Sequence, residues 1–229
     1  MNKIIHLIVR FIFIVVCYIG IYTNIIDTNE NAFMGNGTAL NFYTIQSNIL
    51  VLGTQVILLI YELFNEKLKL RFSKIISILK FVSTTAITLT LLVFWGMLAP
   101  YMEVETLKSF SCILVHLIIP LGMILDFLFC KDEYEFKKKD IFFSLIPPVL
   151  YFVFCLVRAE VSKVTLTGGS RFPYWFIDID VYGWLGNENG MGVLYWVMII
   201  AIIVLFIAGV LYLLNKKISS SKLLKNEVN

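Results

Sequence analysis

The stretch MGVLYWVMIIAIIVLFIAGVLYLL, residues 191–214, contains no Asp, Glu, Lys or Arg. As an α-helix it would be about 36 Å long, which exceeds the roughly 30 Å hydrocarbon core of a bilayer. Five further runs are similarly apolar, and only the fourth run in the chain contains a charge, Asp126: Phe11–Ile26, Tyr43–Tyr61, Phe81–Met102, Ser109–Phe129 and Ile141–Val157. The sequence therefore predicts an all-α polytopic membrane protein, with six transmembrane helices forming a single domain over residues 1–229.

The composition of the whole chain agrees with this class. Of its 229 residues, 59% are hydrophobic and 15% are charged, and the mean hydropathy is +0.85. A soluble domain carries roughly 25% charged residues. A soluble globular fold is therefore excluded.

The distribution of charge predicts how the chain is oriented. The predicted helices cover about residues 4–23, 43–63, 76–99, 109–129, 141–158 and 191–214, and a long outer loop covers 159–190. Thirteen Lys and Arg residues lie on the side of both termini and four on the other side. Positively charged loops favour the cytoplasm, so both termini are expected there. Abundant Ile, Lys and Asn favour a bacterial source, hence the bacterial cytoplasmic membrane. The net charge of +3 reflects this loop bias, and no nucleic-acid partner is expected.

The four cysteines and two histidines show no metal-ligand spacing. The cysteines lie in or beside apolar runs and are interpreted as small hydrophobic residues. With so few imidazoles, neither a metal site nor a cofactor is expected.

Two ionisable residues lie inside predicted helices at similar depths. Arg10 is about six residues from the inner end of the first helix, and Asp126 is about four residues from the inner end of the fourth. A charge within the bilayer needs a partner. We therefore expect an Arg10–Asp126 ion pair, although Arg10 can alternatively snorkel to the inner head groups.

A polar stripe follows the second predicted helix. Thr44, Ser47, Asn48, Gln55 and Glu62 recur at helical spacing and share one face. Such a face must contact other helices or a wet cavity rather than lipid. Hydrogen bonding between helices is one interpretation of this stripe.

His116, in the fourth helix, favours a second interpretation, a catalytic site. An imidazole acts as a base near neutral pH, and a hydroxyl within about 3 Å of it becomes a nucleophile. Thr44 and Ser47 are the nearest hydroxyls on the neighbouring stripe, and Cys112 is a further candidate nucleophile. If the two helices begin at the same level, however, Thr44 and His116 differ in depth by about 10 Å.

Several short motifs in the chain resemble one family. They are Tyr43-Thr44-Ile45-Gln46-Ser47-Asn48, His116-x-x-x-Pro120 followed by Leu125-Asp126, Tyr151 with Arg158, and Pro173-Tyr174 with Asp178. Together they resemble the bacterial Pr6Pr-type integral membrane proteins over most of the chain. That family is distantly similar to the eukaryotic androgen-induced membrane proteins. Those are intramembrane hydrolases of fatty acid esters of hydroxy fatty acids, and they use a Thr nucleophile and a His.

The resemblance implies a hydrolase of lipid esters in which Thr44 is the nucleophile and His116 the base. Its partners would be membrane lipids and a hydrophobic ester. Five residues are expected to support this pair or the substrate: Ser47, Asn48, Arg158, Tyr174 and Asp178. Among them, Asn48 would donate to an oxyanion, Asp178 would orient His116, and Arg158 would clamp a carboxylate.

Two other functions remain open at this point. One is a non-enzymatic membrane protein whose polar stripe binds lipid or only packs helices. The other is a carrier or proton-coupled transporter that uses Arg10, His116 and Asp126.

Overall fold

A computed structural model describes residues 3–30, 39–64, 66–130, 134–162, 165–166 and 169–227. Within these residues, six helices are long and apolar enough to cross a membrane: Ile4–Asp27, Tyr43–Leu63, Ser73–Tyr101, Phe110–Phe129, Lys138–Ser162 and Val193–Ile218. This confirms a mostly helical chain with six potential membrane spans, as expected of a multi-pass membrane protein.

The helices have the following bounds: α1 Lys3–Glu30, α2 Tyr43–Leu63, α3 Glu66–Val93, α4 Val104–Lys108, α5 Phe110–Ile113, α6 Ile119–Phe129, α7 Ile146–Ser162, α8 Ile179–Tyr182 and α9 Val193–Glu227. A π turn, Phe94–Leu98, and a 3-10 turn, Ala99–Tyr101, extend α3. A second π turn, Leu114–Ile118, joins α5 to α6. The 3-10 helices Ala39–Asn41, Lys138–Leu145 and Trp175–Ile177 precede α2, α7 and α8, and the strands β1 Gly186–Asn187 and β2 Gly190–Met191 form an antiparallel hairpin.

Several helix boundaries differ from the expected ones. α1 continues to Glu30 rather than about 23, α3 begins at Glu66 rather than near residue 76, α7 continues to Ser162 rather than 158, and α9 continues to Glu227 rather than 214. The apolar runs mark where a membrane would begin, whereas the helices continue beyond it. The long loop therefore covers residues 163–192 instead of 159–190.

The first two spans run in opposite directions, and so do the third and fourth. Arg10, near the start of α1, contacts Glu62 near the end of α2, and Lys80, near the start of the third span, contacts Asp126 near the end of α6. We call the end of the bundle that contains these four residues the terminal end. The opposite end, which carries the described part of the 163–192 loop, is the loop end.

The third span is the most buried of the six, since 61% of its most apolar 18-residue stretch lies inside the protein. Its buried face carries small hydroxylated side chains, of which Ser83, Thr84 and Thr85 are fully buried. Each of these hydroxyls donates to the carbonyl four residues earlier. No buried donor among these three is left without an acceptor, and the small side chains let neighbouring helices pack closely.

The described part of the 163–192 loop folds onto the loop end of the bundle. Its buried Phe172, Phe176 and Ile177 pack against Tyr151 and Ala159 of α7. This packing holds the neighbouring Tyr174 over the start of α2, where the Tyr174 hydroxyl accepts a hydrogen bond from the Tyr43 N–H at 3.1 Å.

Candidate active site

The structure brings Thr44 and His116 together. Thr44 Oγ1 lies 3.3 Å from His116 Nε2. The expected 10 Å difference in depth is therefore wrong. It assumed that both helices begin at one level. Thr44 is one residue after the start of α2 and His116 is six residues after the start of α5, a difference of five residues or about 7.5 Å along a helix. For their side chains to meet, α2 must begin about that much deeper in the bundle.

The inset start of α2 has a tertiary cause. The 3-10 turn Ala39–Asn41 precedes it, and Ala39 is itself buried. Phe42 occupies the N-cap position and supplies no side-chain hydrogen bond. The Tyr174 hydroxyl from the distant loop takes this role instead. Protein packed over the helix end, rather than water, therefore satisfies α2's first N–H group.

The main chain, rather than a carboxylate, orients the His116 ring. Its Nδ1 lies 3.0 Å from the Cys112 carbonyl oxygen, which can only accept a hydrogen bond. Nδ1 therefore carries the proton and Nε2 presents a lone pair to the Thr44 hydroxyl. This is the tautomer that a general base requires. The Cys112 thiol lies 3.5 Å from the same Nδ1, on the side away from Thr44.

Two π turns meet at this imidazole. His116 lies in the π turn of the fourth span, and Phe94, in the π turn that follows α3, stacks on its ring at 3.4 Å between centroids and 14° between planes. Single π turns inside α-helices often occur at functional sites. Here they bring the two rings face to face.

Pro120 explains how the π turn of the fourth span is held. The Ile119 N–H bonds to Leu114 O, and Pro120 has no N–H, so the Val115 carbonyl has no main-chain donor. The Asn48 amide donates to it at 3.2 Å. The His116 carbonyl lacks its usual donor from Pro120, and Trp95 Nε1 donates to it at 3.0 Å. Both side chains therefore satisfy carbonyls that the helix leaves free.

Asn48 does not have the expected geometry of an oxyanion donor. Its amide nitrogen also donates to Thr44 O at 2.7 Å, so both N–H groups are engaged, while its Oδ1 has no partner among the described residues. It instead fixes the start of α2 against the turn that carries His116. Ser47 is likewise structural, since its Oγ lies 2.7 Å from Thr90 Oγ1 of α3.

Arg158 and Asp178 also lie away from the pair. Asp178 accepts a hydrogen bond from Ser170 at 2.6 Å and caps α8, whereas the expected role was to orient His116. The Arg158 guanidinium donates to the Arg171 carbonyl at 2.7 Å and links α7 to the loop, whereas the expected role was to clamp a carboxylate. The 163–192 loop approaches the site through Tyr174 and does not bring these charges to it.

Tyr174 joins the pair from the loop. Its hydroxyl accepts from the N–H of Tyr43, the residue before Thr44, and the Thr44 and Tyr174 side chains line the same cavity. Burial of the phenol raises the pKa of Tyr174 to about 12, so the hydroxyl stays protonated at neutral pH. Sequence reasoning placed Tyr174 near the substrate. Its position over the α2 N-terminus depends on loop packing that no local pattern encodes.

An apolar cavity of about 210 Å³ adjoins Thr44 and Tyr174. Its walls come from α2, the third span, the fifth span, α9 and the loop, and include Leu89, Phe94, Val149, Phe152, Val197 and Ile200. Val149 is 53% exposed on the outside of the bundle, so the cavity wall reaches the surface that would face lipid. A second phenol, that of Tyr43, lines the cavity with a buried hydroxyl that has no partner among the described residues.

A separate ionic cluster occupies the terminal end. The predicted pair is confirmed, with Arg10 3.3 Å from Asp126, and Arg10 also contacts Glu62 at 3.0 Å. Lys80, which sequence reasoning missed, lies 3.3 Å from Asp126 and is 1% exposed. Lys80 lies four residues inside the predicted 76–99 helix, at the depth of Asp126. This position could have identified it as a partner of Asp126 from the sequence. Gln55 accepts from Arg10 and donates to Asp126 at 3.2 Å.

One group of potential metal ligands lies beside this cluster. In the described part of the chain, His6, Asp126 and Cys130 each place one ligand atom within 4.8 Å of the others. However, the Asp126 carboxylate already contacts Arg10 through one oxygen and Lys80 through the other. These two positive charges disfavour a metal cation there.

Comparisons of the chain with protein-family models, curated proteins and solved structures gave no match.

Proposed function

We propose that this protein is an intramembrane hydrolase that cleaves the ester bond of a fatty-acyl lipid. The observation that carries the proposal is the 3.3 Å contact between Thr44 Oγ1 and His116 Nε2, with Thr44 in the wall of an apolar cavity. A hydroxyl, an oriented base and an apolar chamber are the parts that acyl transfer requires.

The reaction would proceed in two halves. Thr44 Oγ1 attacks the acyl carbonyl carbon while its proton moves to His116 Nε2, and the carbonyl electron pair moves onto the oxygen. When this intermediate collapses, the alcohol oxygen leaves and takes the proton from His116. Water then repeats the sequence on the acyl-threonine and releases the fatty acid. The Cys112 carbonyl stabilises the imidazolium formed in each half, because it accepts the Nδ1 proton.

The cavity favours a long acyl chain as the group bound next to the reactive carbonyl. The walls away from Thr44 and Tyr174 are mainly aliphatic and aromatic, so methylene groups that leave the bilayer would stay in an apolar environment. The half-exposed Val149 marks where a chain would enter from the bilayer between helices.

The resemblance described above supports the same proposal. Membership of the Pr6Pr-type family would make this chain a distant relative of hydrolases that use a Thr and a His. We propose that membership, and with it cytoplasmic termini in a bacterial cytoplasmic membrane. Attaching a membrane-impermeant thiol reagent to single cysteines placed at residue 3 and residue 180 would test the orientation. Labelling of intact cells at residue 180 alone supports it.

The ionic cluster does not favour the transporter alternative. Neither Arg10 nor Asp126 lines the cavity beside Thr44, and both are engaged in ion pairs. Lipid binding without catalysis is an outcome of the following experiment.

The test is covalent labelling and turnover in detergent. The wild-type protein should react with a long-chain fluorophosphonate, and mass spectrometry should locate the adduct on Thr44. It should also hydrolyse a long-chain p-nitrophenyl ester, which Thr44→Ala should not, while Thr44→Ser keeps part of the rate. Thr54→Ala is the matched control, since that buried hydroxyl on the same helix bonds only within the bundle. A wild-type protein that binds lipid but neither labels nor turns over would refute the proposal.

A further inference from the structure

The geometry points to Tyr174 as the residue that binds the oxyanion. Its phenol hydroxyl accepts from the partly positive N-terminus of α2 and would donate a hydrogen bond to the carbonyl oxygen that Thr44 attacks. This inference rests on the proposed function and names a catalytic role that the Thr–His pair alone leaves unfilled.

The first argument is the direction of the hydrogen bonds. The Tyr174 oxygen accepts from the Tyr43 N–H at 3.1 Å. Because this main-chain donor occupies a lone pair, the phenol proton is available to another acceptor. Thr44 donates to His116 Nε2, whose Nδ1 donates to Cys112 O. The Thr44 and Tyr174 side chains line the same cavity, so a carbonyl beside Thr44 Oγ1 can accept the Tyr174 proton.

The second argument is where negative charge would develop. The first turn of α2 contains no acidic residue, and the Tyr174 hydroxyl is the group that meets its first N–H. The N-terminus of a helix carries a partial positive charge and favours an anion. A phenol that accepts from this N–H group becomes a stronger donor, because hydrogen bonds in a chain polarise one another. When an ester carbonyl lies beside Thr44 Oγ1, the Tyr174 proton points to the carbonyl oxygen.

The third argument is that two other polar groups of the cavity wall already have partners. The Tyr151 hydroxyl donates to Asn41 O at 2.8 Å, and Thr90 is paired with Ser47. Tyr43 is the competing candidate, since its hydroxyl has no partner among the described residues. Its ring packs edge-on against Tyr151 of α7 at 5.1 Å, whereas the Tyr174 hydroxyl meets the first N–H of α2.

The Tyr174 ring is also held in place, as a preorganised donor must be. Phe176 stacks on it at 5.1 Å and 6° between planes, and Phe42 meets it edge-on at 5.7 Å. Two links within the loop brace this segment, Ser170 to Asp178 at 2.6 Å and Arg171 to Asp180 at 2.6 Å.

The test is Tyr174→Phe, which removes the hydroxyl and keeps the ring. We expect kcat for a long-chain ester to fall about 10²–10³-fold with KM nearly unchanged, as for the loss of one oxyanion donor. Tyr134→Phe is the matched control, because that phenol bonds Asp140 at the terminal end, far from the cavity. It should leave kcat unchanged.

A binding measurement separates catalysis from structure. A long-chain trifluoromethyl ketone forms a tetrahedral oxyanion with a nucleophilic hydroxyl, whereas the analogue with a methylene in place of the carbonyl does not. Calorimetry on the wild type should show at least about 100-fold preference for the ketone. Tyr174→Phe should lose most of this preference while it binds the methylene analogue as before. A merely structural role would weaken both ligands together.

The outcomes separate the two proposals. If the wild type neither hydrolyses esters nor labels at Thr44, the proposed function fails and the inference fails with it. If the wild type is active and Tyr174→Phe keeps both its kcat and its ketone preference, only the inference is overturned. The inference is likewise overturned if Tyr43→Phe, rather than Tyr174→Phe, removes the ketone preference.

Discussion

The two polar regions of the bundle differ in how their groups are engaged. At the terminal end, Arg10 and Lys80 face Glu62 and Asp126, so two positive and two negative charges cancel. At the loop end, the contacts around Thr44 and His116 join neutral groups, and Thr44 also faces an apolar cavity. The first region joins neighbouring helices through ion pairs, while the second leaves the Thr44 hydroxyl next to space for a ligand. Polar residues in a membrane protein are therefore better classified by what their hydrogen bonds lead to than by their polarity.

The largest expected effect is at the loop end. His116→Ala removes the base, so ester hydrolysis should fall about 10²–10⁴-fold. No ion pair is lost, and the melting temperature in detergent should change little. Steady-state kinetics and a thermal melt on the same preparation provide the check. A variant that keeps its rate would show that the loop-end region is no more catalytic than the terminal one.

The ionic cluster should show the opposite pattern. Asp126→Ala leaves Arg10 and Lys80 without their shared partner and should cost about 3–5 kcal/mol of stability. Hydrolysis by the fraction that remains folded should not change, as kinetics after size-exclusion chromatography would show.

A double variant sharpens this result. Asp126→Leu combined with Arg10→Met should be less destabilising than the sum of the two single changes, because each single change already removes the Arg10–Asp126 contact and the sum counts that loss twice. Strict additivity would mean that the two side chains do not interact in the membrane.

Asn48→Ala tests the link between stability and catalysis, with a smaller effect on each. It leaves the Val115 carbonyl without its side-chain donor, which should cost about 1–3 kcal/mol. Because that carbonyl lies in the turn that carries His116, kcat should also fall, by about 10-fold. Thr54→Ala, which removes another buried hydrogen bond of α2, should cost stability of roughly 0.6 kcal/mol and leave kcat unchanged. Equal kcat values for the two variants would separate Asn48 from the active site.

The smallest effect is expected in the exposed part of the loop. The Arg171 guanidinium, hydrogen bonded to Asp180, holds the pKa of that carboxyl below its usual 3.8. A lowered carboxyl pKa stabilises the fold above the unfolded value, and this contribution is lost as pH falls through the folded value, below about pH 4. In the wild type, the protection of the loop amides from hydrogen exchange should therefore decrease slightly below about pH 4. Asp180→Asn should remove this pH dependence. It should change kcat by less than about threefold, since exposed ion pairs contribute little.

The spans and the ion pair were predictable from local sequence. Charge-free runs must lie in lipid or in protein, and a buried Arg10 needs an acid at its own depth. The polar stripe on α2 was also predictable as an inward face, and Ser47, Asn48 and Gln55 are all buried. Lys80 was missed because it lies one residue before the charge-free run that begins at Phe81, although the predicted 76–99 helix already included it.

The distances within the site were not predictable in the same way. The level at which α2 begins depends on Tyr174, which is 130 residues away from Thr44 in the chain. The two π turns add a residue to a helical turn without changing hydropathy, so no periodicity marks them. The group that orients His116 is a main-chain carbonyl, and every residue has one. Side-chain patterns could therefore identify the two residues of the proposed site but not the geometry that joins them.

The position of Thr44 at the second residue of α2 has a consequence for the supply of substrate. A lipid that brings its ester to this level must point its polar end towards the loop end of the bundle. Lipids of the opposite leaflet have the reverse orientation and would not bring their ester to Thr44. A hydrolase of this geometry would consume one leaflet rapidly and the other only as fast as its lipids flip. In a bilayer of slowly flipping substrate, its progress curve would pause near half completion.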